Sequence, residues 1–267
     1  MTTNLRKFDT LSGFYAACQR EKIRVKTRCG RADDPSPSWQ GSDWYGTNTW
    51  SEAVELATKG WKAGAARVMK LAEDISAEMV SDVKRPEVVY EVEGDQFDMG
   101  RVMADEPESW MTWQGGQEVS QTGTVHIVYN VTASAGVATE ILETRGAAVC
   151  ALVIVLEAAG RHVEVETCLN IDGKNEHRVI VKNAYEPVQI DGLAFALVHP
   201  AYFRRFGFAM MGISGSGHGI PRPTAFSQGD VYLAEALYGG EQWKSQEKAQ
   251  QWVREQLTAQ GVKFSRD

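Results

Sequence analysis

The chain has 267 residues, of which 43% are hydrophobic and 24% are charged, a composition that is typical of globular proteins and excludes wholesale disorder. Its 35 Asp and Glu residues outnumber 28 Lys and Arg residues, which gives a formal charge of -7 and argues against a protein that coats duplex DNA through its overall charge. No apolar run reaches the roughly 20 residues of a membrane-spanning helix, and the N-terminus has no apolar signal core. We therefore expect a cytoplasmic protein with no membrane contact.

The N-terminal part of the chain predicts helices that are separated by a basic strand and a long loop. Thr10 to Lys22 has apolar side chains at three- and four-residue spacing, which indicates an amphipathic helix. Ile23 to Cys29 alternates apolar and basic residues, which indicates a half-buried strand, and Gly30 to Asn48 has the Gly, Pro, Ser and Asp content of a loop. Thr49 and Glu52 have the spacing of a capping box and begin the next helix.

Two helices, a strand and an irregular stretch are predicted for the rest of the first half. Gly60 ends the helix after the capping box as a left-handed C-cap, and Trp61 begins a longer amphipathic helix. Val88 to Glu93 has the composition of a strand, and a short helix follows near Met99 to Ala104. Asp105 to Gly123 shows no clean period, so we predict irregular structure there.

The second half has a more regular pattern. Thr124 to Thr132 predicts a strand, and a helical stretch follows from Ser134 to about Ala159, with Gly146 as the position of any break. Val163 to Asn170 and Arg178 to Lys182 predict the two antiparallel strands of a hairpin.

Helices dominate the C-terminal part. Asp191 to Val198 and Ala201 to Met211 predict two helices separated at Pro200, whose ring disfavours helical backbone in the residue before it. Glu241 to Gln260 predicts a polar helix. Because strands and helices mix without strict alternation, we predict an α+β fold with a mixed or mainly antiparallel sheet covered by helices. We expect a single domain over the whole chain, with Pro86 as the position of any seam.

Four cysteines bear on the compartment and on metal binding. Cys18, Cys29, Cys150 and Cys168 lie far apart, form no Cys-x-x-Cys pair and have no histidine at metal-ligand spacing. Free cysteine in an apolar sequence behaves as a small hydrophobe. We therefore predict a reducing compartment, packing roles for the cysteines, no bound metal and no cofactor.

The clearest binding signal lies in the N-terminal third, where basic and aromatic residues are neighbours. Single-stranded nucleic acid needs cations for its phosphates and aromatic rings on which unpaired bases can stack. The residues predicted to form this surface are Arg24, Lys26, Arg28, Arg31, Trp39, Trp44 and Tyr45. The alternative is that the aromatic residues pack under the long loop as a satellite core, since large aromatic side chains bury much surface.

A second group of candidates surrounds Pro200. His199, Tyr202 and Arg205 can line a polar cleft, in which Arg204 or Arg205 binds a phosphate or a carboxylate bidentately. We take His199 and Arg205 as candidate catalytic residues and both arginines as candidate binding residues. The alternative is that the arginines form ordinary ion pairs with neighbouring acidic residues.

The glycine-rich segment 212–219 is the most site-like loop. Its four glycines allow backbone N–H groups to converge on an anion, and His218 can titrate near neutral pH. The segment lacks the lysine of a P-loop and does not fit the Gly-x-Ser-x-Gly nucleophile elbow. Two interpretations stay open, which are a flexible surface loop and the catalytic loop of a phosphate-handling enzyme that uses His218.

An acidic pair lies on the first strand of the hairpin. Glu164 and Glu166 alternate and therefore share one face, with Lys182 predicted across the hairpin. Metal-dependent nucleases use an acidic pair and a lysine, but cross-strand Glu–Lys pairs on a solvent face explain the same residues, and we prefer that interpretation. A second acidic group lacks the spacing of a calcium loop and predicts a solvated strand end: Glu91, Glu93, Asp95 and Asp98.

One motif resembles a known family. The segment from Trp44 to Ala53, followed by Gly60 and Trp61, reads Gly, Thr or Ser, an aromatic residue, Glu-Ala and then Gly-Trp. This motif resembles an uncharacterised family of proteins encoded mainly by tailed bacteriophages. The chain departs from that family at residues 105–108, Asp-Glu-Pro-Glu, where a Gly-Asp-Pro-Glu box is expected. The resemblance implies a phage protein that acts in the cytoplasm of an infected bacterium, with no established activity.

These observations together predict a non-enzymatic phage accessory protein that binds single-stranded nucleic acid or a nucleoprotein complex. A first alternative is a virion or host-takeover module, whose tryptophans form an interface with a phage or host protein. A second alternative is a phosphate-handling enzyme that uses the Gly212–Gly219 loop. A homo-oligomer is compatible with all three.

Overall fold

A computed structural model describes residues 4–24, 44–77, 87–94, 96–114, 123–171, 175–213, 222–224, 229–233 and 235–262. The chain forms two compact units. The larger comprises Met1–Glu78 and Gly123–Val262, and the smaller comprises Met79–Thr122 and Lys263–Asp267. The first boundary falls between Glu78 and Met79, and the single-domain organisation, with Pro86 as the position of any seam, stays a prediction.

Strands and helices occur in both units. The strands are β1 (Asn4–Phe8), β2 (Glu87–Glu91), β3 (Gln96–Phe97), β4 (Trp110–Gln114), β5 (Thr124–Asn130), β6 (His162–Ile171), β7 (Asn175–Lys182) and β8 (Val231–Leu233). The α-helices are α1 (Leu11–Arg24), α2 (Trp50–Lys59), α3 (Lys62–Ser76), α4 (Met99–Met103), α5 (Thr139–Ala158), α6 (Ile190–Val198), α7 (Phe208–Ile213) and α8 (Gln246–Ala259). The predicted α+β class is therefore confirmed.

A five-stranded mixed sheet with the order β1-β7-β6-β5-β8 runs through the larger unit. Strands β6 and β7 are antiparallel, as the predicted hairpin requires, and the other three neighbouring pairs are parallel. Successive strand residues point to opposite faces. On one face Val163 and Val165 are fully buried, and the Thr167 hydroxyl lies 2.7 Å from the Tyr202 hydroxyl of the helical layer. The opposite face carries mainly polar residues.

The first helix extends beyond its predicted end. Helix α1 continues through Ile23 and Arg24, so the strand predicted from Ile23 is wrong at its first two residues, and the remainder of that prediction lies outside the described residues. No glycine or proline interrupts the sequence between Lys22 and Val25. The helical hydrogen bonds therefore continue into residues whose alternating pattern alone favours a strand.

The capping box before α2 is confirmed. The Thr49 hydroxyl accepts a hydrogen bond from the Glu52 amide at 3.1 Å, and the Glu52 carboxylate accepts one from the Asn48 amide at 2.8 Å. Gly60 ends the helix with a φ of 81°, which a glycine adopts without the steric cost of a Cβ. Helix α3 follows directly, with Trp61 as its N-cap residue.

Helix α5 shows what the glycine within it does. It runs without interruption over 20 residues, so the helix continues through Gly146, where the sequence left a break open. A Cβ at Gly146 would lie 2.0 Å from the Leu197 carbonyl oxygen, so the glycine permits close packing of α5 against α6 instead of ending a helix. The helix begins at Thr139 and not at Ser134, whose amide donates to the Leu237 carbonyl at 2.8 Å.

The predicted helix from Ala201 to Met211 is present in an unusual form. Helix α6 ends at Val198, as the sequence predicted from Pro200, and a π-helix then covers Tyr202–Gly207 before α7 begins. The glycine-rich loop was predicted to begin at Gly212, but α7 includes Gly212 and Ile213, and residues 214–221 lie outside the described residues. The polar C-terminal helix is shorter than predicted, because a 3-10 turn at Glu241–Trp243 precedes α8.

The smaller unit contains an antiparallel sheet with the order β2-β4-β3, together with α4. Irregular structure was predicted for residues 105–123, and this is wrong for β4, which pairs with a strand on each side. Backbone hydrogen bonds to β2 and β3 hold this segment as a strand, although its side chains do not alternate as in a typical strand. In the described part of the chain, no helix is long and apolar enough to cross a membrane.

Candidate functional site

Three basic residues near the N-terminus are exposed. Arg6 and Lys7 lie on β1, the edge strand of the mixed sheet, and Arg20 lies on α1. We call these three residues the N-terminal cations. Arg24 is the last residue of α1. Four residues of the predicted nucleic-acid surface lie outside the described residues: Lys26, Arg28, Arg31 and Trp39.

The two aromatic residues of that surface that are described, Trp44 and Tyr45, are buried. They are 5% and 2% exposed, and the Trp44 indole donates a hydrogen bond to the Ala135 carbonyl at 2.9 Å. The Phe208 ring packs against both. Their predicted role in base stacking is therefore corrected, and the satellite core that the sequence left open is the arrangement found.

Arg204 and Arg205 complete this core. The Arg204 guanidinium lies 4.3 Å above the Trp44 ring, and that of Arg205 lies 3.9 Å above the Tyr45 ring. Both side chains are buried in the π-helix.

Backbone carbonyls accept hydrogen bonds from these arginines. Arg204 donates to the Trp44 and Val137 carbonyls, both at 2.6 Å, and to the Thr139 hydroxyl at 3.1 Å. Arg205 donates to the carbonyl and the hydroxyl of Thr47 at 2.7 and 3.2 Å. The predicted roles of the two arginines in a polar cleft are corrected, since their donors already hold the loop around Trp44 to the protein.

His199 is also part of the interior. Its ring stacks against Phe195, and Trp61 approaches it edge-on. The Nδ1 atom accepts a hydrogen bond from the Ala201 amide at 3.1 Å, and burial lowers the pKa of the imidazole to about 4. A buried, neutral histidine with one nitrogen occupied does not fit the predicted catalytic role. The other histidine candidate, His218, lies outside the described residues.

The polar face of the mixed sheet brings together residues that the sequence did not connect. Glu164 and Glu166 share this face, as predicted. His126 of the neighbouring strand β5 places its Nε2 atom 3.5 Å from a carboxylate oxygen of each, a separation of ion pairs more than of hydrogen bonds. Lys182 does not join them, because its ammonium binds the Glu157 carboxylate and backbone carbonyls. The predicted pairing of Lys182 with this acidic pair is therefore wrong.

Arg178 of β7 takes the place that was predicted for the lysine. Its guanidinium donates to Glu166 at 3.0 Å and to Glu176 at 2.5 Å, and its third contact is with the Thr224 hydroxyl at 2.7 Å. Asn170 of β6 donates to the Glu176 carboxylate at 3.2 Å. We call this connected set the polar chain, and its members are His126, Glu164, Glu166, Asn170, Glu176, Arg178 and Thr224.

Charge and burial change along the polar chain. Glu176 and Arg178 are buried, whereas the His126 side chain is 30% exposed. The Glu166 carboxylate raises the pKa of His126 against the opposing effect of burial, with further contributions from Glu164 and Asp230. Burial favours a higher pKa for Glu166, but His126 and the Arg178 charge outweigh it and hold that pKa below its usual range. The half-exposed end is therefore an imidazole that protonates readily.

Arg222 and Pro223, which follow the glycine-rich segment in the sequence, contact Asn130 of β5 and Asn170 of the polar chain. Asn130 and Asn170 donate to the carbonyls of Arg222 and Pro223, each at 2.8 Å. Among the described residues, no group of three His, Cys, Asp or Glu side chains has the geometry to hold a metal ion. The phosphate-handling enzyme stays a prediction, since residues 214–221 lie outside the described residues.

Sequence reasoning missed most of the polar chain. Strand alternation identified the shared face of Glu164 and Glu166, but it did not give the neighbours of β6 in the sheet. Register places Cys168 opposite Arg178, and it places Glu166 beside Val128 of β5, two residues after His126. A prediction that β5 pairs with β6 would have placed His126 next to the two glutamates.

Three cysteines are buried, and they are Cys18, Cys150 and Cys168. Burial raises the pKa of the Cys150 thiol, and it raises that of Cys168 to about 12. Thiols in this state are poor nucleophiles, which agrees with packing roles. Cys29 lies outside the described residues.

Comparison with known proteins identifies a family. A family model described as a domain of unknown function, DUF7192, matches residues 2–263, and the chain belongs to this family. No curated protein and no solved structure matches the chain.

Proposed function

We propose that this chain is a phage-encoded accessory protein that binds single-stranded nucleic acid, or a nucleoprotein complex that contains it, in the cytoplasm of an infected bacterium. The phage origin rests on the motif between Trp44 and Trp61. The binding surface is the basic N-terminal segment from Arg6 to Arg31.

Charge segregation is the observation that carries this proposal. The first 31 residues contain eight Lys or Arg and two Asp or Glu, which is a formal charge of +6, whereas the remaining residues carry -13. Such asymmetry within one chain is typical of proteins with a local anionic partner. An acidic body also repels nucleic acid from every other surface, so contact is directed to the N-terminal segment.

The exposure of the described cations supports the same surface. Three cations near the N-terminus are exposed, namely Arg6, Lys7 and Arg20. By contrast, three arginines elsewhere are buried and donate hydrogen bonds within the protein: Arg178, Arg204 and Arg205. Because Trp44 and Tyr45 belong to the interior, stacking contributes less than the sequence predicted and phosphate contacts contribute more. Binding of this kind weakens steeply with salt. For a single strand, the slope of the logarithm of the binding constant against the logarithm of the salt concentration is about -0.7 for each phosphate contacted.

Fluorescence anisotropy tests the proposal with labelled single-stranded DNA, single-stranded RNA and duplex DNA across a salt series. The triple variant Arg24→Glu, Lys26→Glu, Arg28→Glu is expected to bind single strands at least tenfold more weakly. The slope of its log binding constant against log salt concentration should become shallower by about 2. A matched control reverses the same charge on exposed lysines elsewhere in the larger unit: Lys62→Glu, Lys70→Glu, Lys248→Glu. Since this control changes the net charge equally, it separates a local surface from a change in overall charge.

The possible results are distinct. Single-strand binding that the N-terminal variant loses and the control variant keeps supports the proposal. Equal losses in both variants, equal affinity for duplex DNA, or no binding at low salt would each overturn it. In the last case, a pull-down from bacterial lysate becomes the experiment for the virion or host-takeover alternative.

A further inference from the structure

The smaller unit exposes several large apolar side chains. Four large apolar residues that are close together in the sequence have exposed side chains: Phe97, Met99, Val102 and Met103. Met99 is 64% exposed and Met103 is 84% exposed. We call these four residues the methionine patch. Clustered exposed apolar residues of this kind mark interaction sites, whereas single ones do not.

Local structure fixes the patch in one arrangement. Met99, Val102 and Met103 have the i, i+3 and i+4 spacing that places side chains on one face of α4. Asp98 holds the start of this helix, since its carboxylate accepts hydrogen bonds from the Gly100 and Arg101 amides. Phe97 precedes Asp98, and its ring packs on Trp110 of β4 with the ring centroids 3.6 Å apart.

Acidic residues flank the patch on both sides in the sequence. The described acidic residues of the smaller unit whose side chains are partly or fully exposed are Glu91, Glu93, Asp98, Asp105, Glu106 and Glu108. Arg101 is the one basic residue among the described part of this unit. It is engaged, because its guanidinium pairs with Glu106 at 2.7 Å and lies 3.9 Å above the Tyr90 ring.

We infer that the methionine patch docks a basic amphipathic helix of a partner protein. Apolar side chains of such a helix cover the exposed methionines, whose unbranched thioether chains adapt to different partners. Its Lys and Arg side chains then meet the surrounding carboxylates. The same carboxylates repel phosphates, which makes the surface unsuitable for nucleic acid or an anionic membrane. This docking surface goes beyond the proposed nucleic-acid function and uses other residues.

A synthetic peptide tests the surface in the full chain. The probe is a fluorescein-labelled 14-residue peptide, LKKLLKLLKKLLKL, whose leucines and lysines lie on opposite helix faces. The double variant Met99→Gln, Met103→Gln is expected to weaken its binding at least tenfold, because two apolar contacts are lost. Both methionines are exposed, so the variant keeps its fold, which circular dichroism checks. A matched variant, Leu5→Gln, Tyr185→Gln, removes exposed apolar residues of the larger unit and is expected to bind as the parent does.

Two further peptides separate the proposed mode from simple charge attraction. One replaces every leucine with glutamine and keeps the lysines, and the other replaces every lysine with glutamate and keeps the leucines. Binding of the amphipathic basic peptide alone supports the proposal. Equal binding of either control peptide, or unchanged binding to the methionine variant, overturns it. A dimer in analytical ultracentrifugation that the methionine variant converts to a monomer also overturns it, since the patch then serves a second copy of this chain.

Discussion

The N-terminal cations and the arginines of the π-helix carry the same chemistry in opposite settings. Arg20 of α1 is exposed, whereas Arg204 is 1% exposed and donates to two backbone carbonyls and a hydroxyl. A buried guanidinium with satisfied donors stabilises the fold but cannot bind a phosphate. An exposed one contributes little to stability and can meet a partner. The comparison shows that burial, and not residue type, separates structural from binding arginines in this chain.

The largest expected effect is the loss of stability on replacing a buried arginine. Arg204→Met leaves the Trp44 and Val137 carbonyls without their donor and should lower the free energy of unfolding by about 3 kcal/mol, since each unsatisfied buried acceptor costs about 1 to 3 kcal/mol. Urea denaturation measures the difference. Arg20→Met is the control and should change stability by less than about 0.5 kcal/mol. Equal effects of the two substitutions would contradict the structural role of Arg204.

Histidines extend the comparison to pH. Burial lowers the pKa of His199 to about 4, below the value of about 6.5 in an unfolded chain. Below pH 6.5 the unfolded chain therefore binds the proton first, and stability falls as the pH falls towards 4. Between pH 7 and 5 this histidine should account for a loss of about 2 kcal/mol.

Denaturation at both pH values tests the role of His199. His199→Asn keeps an acceptor for the Ala201 amide but removes the titrating group, so the difference in stability between pH 7 and pH 5 should shrink by about 2 kcal/mol. His177, whose pKa burial also lowers to about 4, supplies a remaining pH dependence in the variant. An unchanged difference would show that His199 is accessible to protons in the folded protein.

The smallest effect should come from His126, with the opposite sign. The Glu166 carboxylate, together with Glu164 and Asp230, raises the pKa of His126, so its stabilising contribution is fully present below about pH 6.5 and is lost as the pH rises through the higher pKa of the folded state. His126→Asn should cost about 0.5 to 1 kcal/mol at pH 6, as expected for a partly exposed ion pair, and less at pH 9. A cost that grows with pH would contradict the ion pair with the two glutamates.

Local rules in the sequence predicted several features correctly. The capping box of Thr49 and Glu52 needs only residues that are close along the chain, and the structure confirms it. The antiparallel pairing of β6 with β7 likewise follows from the alternating patterns of two neighbouring segments. Features that depend on distant residues were predicted poorly. The sequence left a helix break at Gly146 open, because no local pattern indicates that Leu197 lies against this glycine.

The candidate sites divide in the same way. The sequence identified Glu164 and Glu166 as neighbours on one face, because strand alternation is local. It missed His126 because strand alternation does not show that β5 lies beside β6. It assigned Lys182 wrongly because the pairing of β6 with β7 has a register shift between Val165 and Glu166. It placed Trp44 and Arg204 in binding surfaces, and the structure places them together in the interior.

The sequence by itself determined the α+β class, the charge segregation between the N-terminal segment and the rest of the chain, and the helix boundaries at Thr49, Gly60 and Pro200. These depend on composition and on interactions over a few residues. Tertiary structure alone decided which cations are exposed, which strands adjoin the acidic pair and which methionines stay in solvent. A side chain becomes buried through contacts with distant segments. Whether it is desolvated is therefore decided only when those segments have come together.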